Sequence, residues 1–442
     1  MTTAERPDER LIRAAGVDLG MGEAMADALL QWNGWVLRRV ESVHLLHGER
    51  GRRRNSIDCI PPPDPRLAYL AEERGATTID DVRGLIMVPL TMVEKAPMRD
   101  LDVLDGNGRT MPIVGRSEDA AAGLAVLVHL WRIAVGDVDD VVLGALQRVV
   151  EGAREESEVV ADALIDHGRA AGAPVVDPRE VPEVLGLLVK DFAANFLLIG
   201  LLPADRAGVR QVLKWSANWH ITRSPMSVRE RWAAAAGIEA VTLRIPTGGL
   251  TSTSSYHLEV HLPAELAAVQ LALPPGDDPD GGMKVDGSGN PVAHVYGAYP
   301  EAPAEQEALL RFAVPWRGLR VQATFAAAFT AAVFLGGLSL PDALSTLLSA
   351  GGCSAGLLLA APGALMAVRA GAQESVVASQ VLEPLRKVMY ACALSLTAAA
   401  ASVVGKLDHP WVTVLWSLGA ASATCIFLVL IWANYGRVGG RR

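Results

Sequence analysis

Four long apolar stretches without a single internal charge occupy the last quarter of this chain of 442 residues. Each contains about 18 to 25 residues, which at 1.5 Å per helical residue is enough to cross a hydrocarbon layer of about 30 Å. Lipid offers the backbone no hydrogen-bond partner, so each stretch must bond internally as a helix. We therefore predict an all-α four-helix transmembrane bundle over 319–436, with spans at 321–338, 344–368, 388–405 and 411–433.

The distribution of lysine and arginine sets the expected orientation of these spans, because basic residues resist translocation across a membrane. Basic clusters precede the first span, fill the second connecting loop and form the tail 437–442, whereas the first loop has no basic residue and the third has Lys406 alone. The first thirty residues contain no pattern of a secretory signal. We expect a multi-pass protein of the cell membrane with both termini in the cytoplasm.

The residues before the first span carry the acidic excess of a chain whose formal net charge is −9. An acidic surface disfavours nucleic acid as a partner. The lipid bilayer is the partner that the sequence indicates most directly. A cytoplasmic protein partner, a small-molecule ligand and a homo-oligomer formed through the transmembrane helices all remain open, and rows of small residues spaced four apart in the spans fit close helix packing.

Helical and strand patterns alternate in the N-terminal part. Residues 1–48 are predicted to form a helical segment, and 49–318 a cytoplasmic α+β domain, with strands over about 54–115 and 208–316 and a helical layer over 117–203. The turn Asp105-Gly106-Asn107-Gly108 predicts a β-hairpin. The expected fold is antiparallel and β-sandwich-like with a helical insertion, and two successive α+β modules are the alternative.

One further apolar stretch, 184–202, is long enough to span a membrane. However, Lys190, Asp191 and Asn195 lie at its middle, and each charge there would cost about 2.5 to 3.5 kcal/mol in a bilayer. The stretch is therefore predicted to be a buried core helix of the N-terminal part. A span here would instead place the N-terminus outside the cell.

A histidine-rich strand contains the candidate ligand-binding residues. Because alternate residues of a strand share a face, His257, Glu259 and His261 should point one way and Tyr256 the other. Two imidazoles and a carboxylate suit a divalent metal, with His294 from a later strand as a further ligand. Yet His257 and His261 would lie about 13 Å apart, too far for one ion. No metal or cofactor is predicted, and Tyr256, His257, Glu259 and His294 are kept as ligand-binding candidates.

A basic run leads into the first predicted strand. Arginines gathered around one glycine could bind phosphate or an anionic headgroup, and a solvated loop is the alternative. The anion-binding candidates are Arg50, Arg52, Arg53 and Arg54.

No catalytic residue is predicted. The string 352–356 matches the G-x-S-x-G pattern of serine hydrolases, but it lies in the middle of a predicted span rather than at a strand-to-helix turn. Close packing of small residues explains the string.

Four segments follow one another in the order VPLTMVEKAPMRDLDVLDGNGRTMPIV, DFAANFLLIGLLP, SYHLEV and AHVY, ahead of the four apolar stretches. In this order the chain resembles a set of uncharacterised membrane proteins from actinobacteria. The resemblance covers most of the chain and implies a cytoplasmic N-terminal domain followed by four transmembrane helices, without an activity or a cofactor.

The leading functional hypothesis is an integral membrane protein whose cytoplasmic domain binds a ligand or a protein and acts as a sensor, scaffold or anchor. A membrane-permeabilising effector gated by that domain is the first alternative. A metal-dependent hydrolase on the strand of His257 and Glu259 is the second.

Overall fold

The computed structural model describes residues 11–12, 14–45, 50–69, 84–96, 100–220, 226–250, 253–274, 290–299, 307–340, 360–368, 376–404 and 409–438. The helices of the N-terminal region are α1 (Leu19–Leu30), the single turn α2 (Trp32–Trp35), α3 (Arg116–Ala134), α4 (Asp140–Glu151), α5 (Arg154–Ile165), α6 (Glu183–Ala194) and α7 (Val228–Ala235). The long C-terminal helices are α8 (Leu319–Ser339), α9 (Val376–Val404) and α10 (His409–Val438).

The strands are β1 (Val36–His44), β2 (Arg50–Cys59), β3 (Leu85–Glu94), β4 (Asp102–Leu104), β5 (Arg169–Ala170), β6 (Ala173–Pro174), β7 (Asn195–Pro203), β8 (Gln211–His220), β9 (Val241–Pro246), β10 (Tyr256–His261), β11 (Ala267–Ala272), β12 (Val292–Gly297) and β13 (Glu307–Ala313). The chain thus has a mixed α/β N-terminal region and a helical C-terminal region.

A six-stranded sheet organises the N-terminal region, in the order β12-β10-β1-β2-β8-β4. Strands β2 and β8 come from opposite sides of the helical layer in sequence and pair in antiparallel fashion, as do β3 and β7. Strands β1 and β10 pair in parallel. The sheet is therefore mixed, and the prediction of a purely antiparallel arrangement is wrong on this point.

The largest correction concerns β1. Residues 36–44 were expected in a helical segment, and residues 50–54 were expected to lie in or near a loop, but both runs are strands and pair with each other. Valines at 36, 40 and 43 suit a pleated surface, and β1 has a partner strand on each side. Pairing with distant segments outweighs the local helical spacing.

Two smaller sheets cover one face of the six-stranded sheet. The sheet β11-β13-β9 shares an apolar core with β1, β10 and β12. The pair β3-β7 shares a second core with β2, β4 and β8. The opposite face of the six-stranded sheet carries mainly polar residues, and we call it the outer face. The covered face is called the inner face.

The helices α3 to α6 and α1 form a layer with its own apolar core. The stretch 184–202, predicted as one buried helix, is helical only to Ala194 and continues as β7. The side chain of Asn195 donates to the carbonyl of Asp191 at 3.1 Å, where the helix ends. The following apolar residues pair with β3 and lie in a core. The predicted packing into the N-terminal cores holds through one face of α6 and along β7, whereas the prediction of a continuous helix is wrong.

The predicted turn after β4 is confirmed. The Asp105 side chain accepts from the backbone N–H groups of Asn107 and Arg109, each at 2.8 Å, and Gly108 has a φ of +78°. The returning arm is short, because Thr110 bridges back to Leu104 while Ile113 bridges to Gly200. The hairpin therefore joins β4 to the neighbourhood of β7.

Three helices are long and apolar enough to cross a membrane: Leu319–Ser339, Val377–Val404 and Pro410–Ala433. They match the first, third and fourth predicted spans, and they indicate a membrane protein. Most of the second predicted span, 344–368, lies outside the described residues, and 360–368 is helical.

Helices α8 and α10 pack through glycines. A side chain at Gly337 would collide with the ring of Trp416, and one at Gly419 would meet the ring of Phe334 at 2.7 Å. The two rings are edge-to-face at 5.3 Å. The indole N–H of Trp416 donates to Ser402 of α9 at 3.1 Å. Small residues thus provide close contacts between helices of one chain.

Helix α9 begins earlier than the predicted third span. Its first turns contribute Val377, Val381 and Leu385 to the same core as β10 and β13. Glu383 on this helix forms an ion pair with Arg231 of α7 at 3.2 Å, and Pro384 lies inside the helix. The sheets and the long helices are therefore joined through a shared apolar core.

Candidate functional site

A cavity of about 420 Å³ lies on the inner face of the six-stranded sheet, and we call it the inner cavity. It is bordered by the sheet, by β3, by the junction of α6 with β7 and by the end of β9. Its polar and aromatic lining includes Arg39, Glu41, Arg53, Asn55, Thr91, Glu94, Arg154, Trp215 and Asn218.

A buried carboxylate anchors one wall of the inner cavity. Glu41 on β1 is 1% exposed, forms an ion pair with Arg53 of β2 and accepts a hydrogen bond from the hydroxyl of Tyr256 at 2.7 Å. Arg53 also donates to the carbonyl of Pro246, which ties β2 to the end of β9. Burial, together with the nearby Glu41 carboxylate, raises the pKa of Tyr256 well above its usual value. Tyr256 therefore stays protonated and acts as a donor to Glu41.

Arg39 forms the centre of the cavity wall. Its guanidinium donates to Asn55 at 3.2 Å and to Thr91 at 3.3 Å, and it lies 5.3 Å from the centre of the Trp215 ring. A side chain at Gly249 would collide with the guanidinium, so Arg39 would have to shift to admit one. Burial lowers the pKa of Arg39 from its ordinary value, although Glu41 opposes the shift. The guanidinium is held in one orientation by packing and by hydrogen bonds.

Arg154 of α5 lies at the more exposed edge of the cavity. It forms ion pairs with Glu94 of β3 and, at 2.8 Å, with Glu158 on its own helix. Three arginines and two glutamates thus line the inner cavity, among the residues that the structure describes. The lining carries a net positive charge beside an aromatic ring. Such a lining favours a small anion over a cation.

The outer face carries polar rows that cross the strands. One row runs across all six strands of the sheet, since its members are paired neighbours in the register: His294, Glu259, Ser42, Arg54, Ser216 and Asp102. A second row consists of His261, His44, Arg52 and Asn218. The third consists of Tyr296, His257, Val40, Ser56, Lys214 and Leu104.

A groove of about 310 Å³ follows these rows over β1, β2, β8 and β4, and we call it the outer groove. Asn55 and Trp215 line both the outer groove and the inner cavity. The two sites are therefore separated by the thickness of one sheet. The outer groove is further lined by Val40, Ser42, Arg52, Arg54, Ser56, Asp102, Leu104, Lys214 and Ser216.

Histidines pair at the other end of the outer face. His44 and His261 stack with ring centres 4.1 Å apart, and Nδ1 of His257 lies 3.2 Å from Nε2 of His294. Burial, together with the neighbouring His261, lowers the pKa of His44 to about 4. Burial and the adjacent His294 likewise lower the pKa of His257. At neutral pH His44 and His257 are uncharged and serve as aromatic and hydrogen-bonding groups.

Glu259 does not complete a metal site with these histidines. Its carboxylate accepts from the hydroxyl of Ser42 at 3.1 Å and lies 3.7 Å from Nε2 of His261. Within the described part of the chain, no group of three or more His, Cys, Asp or Glu side chains is placed to hold a metal ion.

The four ligand-binding candidates fall on two faces. His257, Glu259 and His294 lie on the outer face, whereas Tyr256 is fully buried on the inner face. The predicted alternation along this strand is thus confirmed. The four side chains do not form one site, because the sheet itself separates Tyr256 from the other three.

The four anion-binding candidates also divide between the faces. Arg53 points to the inner face and pairs with Glu41, while Arg52 and Arg54 lie on the outer face and line the outer groove. Arg50 begins β2, and its side chain lies outside the described ones. Alternation in a strand, rather than convergence in a loop, governs this run.

Sequence reasoning missed Arg39, Glu41 and Trp215 in the inner cavity and His44 on the outer face. The alternation of valines with charged residues in Val36–His44 was the available signal for a strand. Comparison of the chain with protein-family models and with curated protein sequences gave no match. The chemistry of the site therefore rests on its own geometry.

Proposed function

We propose that this protein is a membrane-anchored sensor whose N-terminal region binds a small organic anion in the inner cavity. The observation that carries this proposal is the inner cavity itself, with its two arginines on neighbouring strands and its tryptophan wall. Its volume of about 420 Å³ lies within the range of about 300 to 1,000 Å³ that is usual for small-molecule sites.

The charge of the lining defines the class of ligand. Arg39, Arg53 and Arg154 line the inner cavity together with Glu41 and Glu94, so the described lining carries one more positive than negative charge. A single ligand carboxylate in the inner cavity would neutralise the net positive charge of the lining. The Trp215 ring, which already stacks against Arg39, offers an apolar surface to the rest of the ligand.

The shared core supports a sensing role rather than a simple tether. A tether needs no packing between the binding region and the spans, whereas here the first turns of α9 share an apolar core with the sheets and form an ion pair with α7. A change in the sheets on ligand binding would act directly on a long helix. In this proposal four spans cross the cell membrane and the N-terminal region faces the cytoplasm, because the basic loops lie on its side.

The other two hypotheses have weaker support. The small-residue contacts that were expected to serve an oligomeric effector are used between α8 and α10 of the same chain. A hydrolase on the strand of His257 and Glu259 would need a third metal ligand or a nucleophile beside them, and the carboxylate of Glu259 is turned toward Ser42.

The test is ligand-induced stabilisation of the full-length protein in detergent. The melting temperature is measured with citrate, succinate, benzoate or glutamate at millimolar concentration and constant ionic strength. A ligand at about ten times its Kd adds about 1.4 kcal/mol of stability, so a bound anion raises the melting temperature by a few degrees. The proposal fails if none of these anions stabilises the protein.

A matched pair of variants locates the binding. Ala217→Phe places a large side chain in the inner cavity without changing any charge, and Val212→Phe adds the same side chain to the opposite face of the same strand. We expect Ala217→Phe to abolish the stabilisation and Val212→Phe to keep it. Equal responses of the two variants would place the binding elsewhere.

A further inference from the structure

The outer groove brings together three basic side chains of the outer face. Arg52 and Arg54 are two residues apart on β2 and share a face, and Lys214 lies on the adjacent strand β8. Asp102 is the one acidic side chain among the described residues that line the groove. Among the described residues, none of these three cations forms an ion pair.

Arg52 has a donor that the described residues leave unused. One terminal nitrogen of its guanidinium donates to the hydroxyl of Ser216 at 2.9 Å. The Nε atom is shielded from solvent and has no acceptor within the described part of the chain. A buried N–H without an acceptor is unfavourable, so an acceptor supplied by a ligand would be favourable here.

Serine hydroxyls alternate with the cations across the strands. Ser42 is paired with Arg54, which is paired in turn with Ser216, and Ser56 is paired with Lys214. A hydroxyl rotates to donate to whatever acceptor lies next to it. Because the hydroxyl of Ser42 donates to Glu259, the groove offers two guanidinium groups, an ammonium group and the hydroxyls of Ser56 and Ser216 within one volume of about 310 Å³.

The alternation of side chains along β2 explains why Arg52 and Arg54 lie on the outer face while Arg53 does not. Arg53 lies between Arg52 and Arg54 in sequence but points to the inner face, where Glu41 neutralises it. On the outer face no ion pair among the described residues involves Arg52 or Arg54, although Asp102 lines the same groove. A run of three arginines is thus divided into one structural cation and two cations turned toward an open groove.

From these observations we infer that the outer groove is a binding site for a phosphate group, distinct from the inner cavity. A phosphate carries up to two negative charges and presents several acceptor oxygens, which matches a set of three cations and several hydroxyls. A carboxylate has fewer oxygens and one charge and would leave donors unused. The phosphate can belong to a soluble phosphate compound or to the headgroup of a lipid, since the chemistry is the same.

The test is equilibrium dialysis of radiolabelled inorganic phosphate against the full-length protein in detergent, with chloride at constant ionic strength. We expect saturable binding of about one phosphate per chain. Arg52→Gln and Lys214→Met should each weaken binding at least tenfold, and Lys214 is exposed, so its replacement leaves the folded core intact. Arg244→Gln is the matched control, because Arg244 is an exposed cation on β9.

The inference is overturned if phosphate binding is absent, or if Arg52→Gln and Lys214→Met bind as tightly as Arg244→Gln does. Ala217→Phe separates the two sites: it should block the inner cavity and leave phosphate binding unchanged. Loss of phosphate binding in Ala217→Phe, with Arg52→Gln unaffected, would assign the phosphate to the inner cavity and also overturn the inference.

A second arm identifies the source of the phosphate. The protein is placed in nanodiscs of phosphatidylcholine with or without phosphatidic acid, and labelled phosphate is titrated. Competition by phosphatidic acid that disappears in Arg52→Gln assigns the groove to a lipid headgroup. Unchanged phosphate affinity in both nanodiscs, still dependent on Arg52, assigns it to a soluble compound. Binding in nanodiscs that does not depend on Arg52 contradicts the inference.

Discussion

The hydroxyl of Tyr256 on β10 donates a 2.7 Å hydrogen bond to Glu41 on β1, 215 positions away in the chain. Both residues are almost completely buried, and Arg53 is the other partner of the carboxylate. The contact fixes the parallel pairing of β1 with β10, so it joins the start of the described chain to strands that lie beyond the helical layer.

Tyr256→Phe should destabilise the protein. The substitution keeps the ring and removes the donor, which leaves a buried carboxylate oxygen without its hydrogen bond and costs about 1 to 3 kcal/mol. The measurement is thermal unfolding of the full-length protein in detergent. Tyr296→Phe is the control, because Tyr296 is exposed on the outer face. Equal stability of the two variants would show that the bond to Glu41 contributes nothing.

Asp119 should make stability depend on pH. Burial raises the pKa of this carboxyl to about 7, although nearby Lys95 opposes the shift. Between the unfolded value near 3.8 and about 7, the folded protein holds a proton that the unfolded chain releases, so the contribution of Asp119 to stability is present at low pH and is lost as the pH rises.

Asp119→Asn tests this prediction, because the amide resembles the protonated acid at every pH. The variant should equal the wild type only below the unfolded pKa of 3.8, and it should become progressively more stable than the wild type as the pH rises through 5 to 8. The shift from 3.8 to about 7 corresponds to an upper bound of about 4 kcal/mol, reduced in practice by relaxation of the site. A stability difference that is the same at pH 5 and pH 8 would contradict the prediction.

His44 should affect the pH dependence of stability in the opposite sense to Asp119. Burial is the main cause that lowers its pKa from 6.5 to about 4, and the charges of His261, Arg54 and Arg52 add to the effect. Between these two values the unfolded chain binds a proton that the folded protein does not, so stability falls as the pH falls from 6.5 toward 4.

His44→Gln should weaken that acid sensitivity. The comparison is the melting temperature of the variant and of the wild type at pH 7 and at pH 5. His167→Gln, a substitution of an exposed histidine after α5, is the control. If the melting temperatures of His44→Gln and His167→Gln fall equally between pH 7 and pH 5, the assigned role of His44 is contradicted.

Neighbouring glycines on α8 offer a matched test of helix packing. A side chain at Gly337 would collide with Trp416, whereas one at Gly336 would meet nothing within 4 Å. Gly337→Val should therefore separate α8 from α10 and cost about 1 to 3 kcal/mol or more, and Gly336→Val should be tolerated. The measurement is thermal unfolding in detergent, and equal effects would refute the assigned contact.

Local patterns predicted much of this fold. The spacing of apolar residues predicted the strand β3, the strands β8 to β13 and the helices α3 and α4. The face that each residue of β10 presents also followed, because alternation in a strand is a local property.

Pairing between distant segments could not be predicted in this way. The inner cavity depends on the register between β1 and β2 and on the approach of β3, and the outer rows depend on the parallel pairing of β1 with β10. Ser42 and Glu259, which form a hydrogen bond, are 217 positions apart. No local spacing encodes such a register, and β1 was itself predicted to be helical.

Pro384 gives α9 a special mechanical property. A proline lacks the N–H that would bond to the preceding turn, so the helix resists bending less at this point than elsewhere along its 29 residues. The turns on both sides of it contribute to the apolar core shared with the sheets, and the helix as a whole is long and apolar enough to cross a membrane. A small reorientation at one end of α9 would thus be absorbed as a change of angle at this point, and it would reach the other end as a tilt rather than as a shift along the axis.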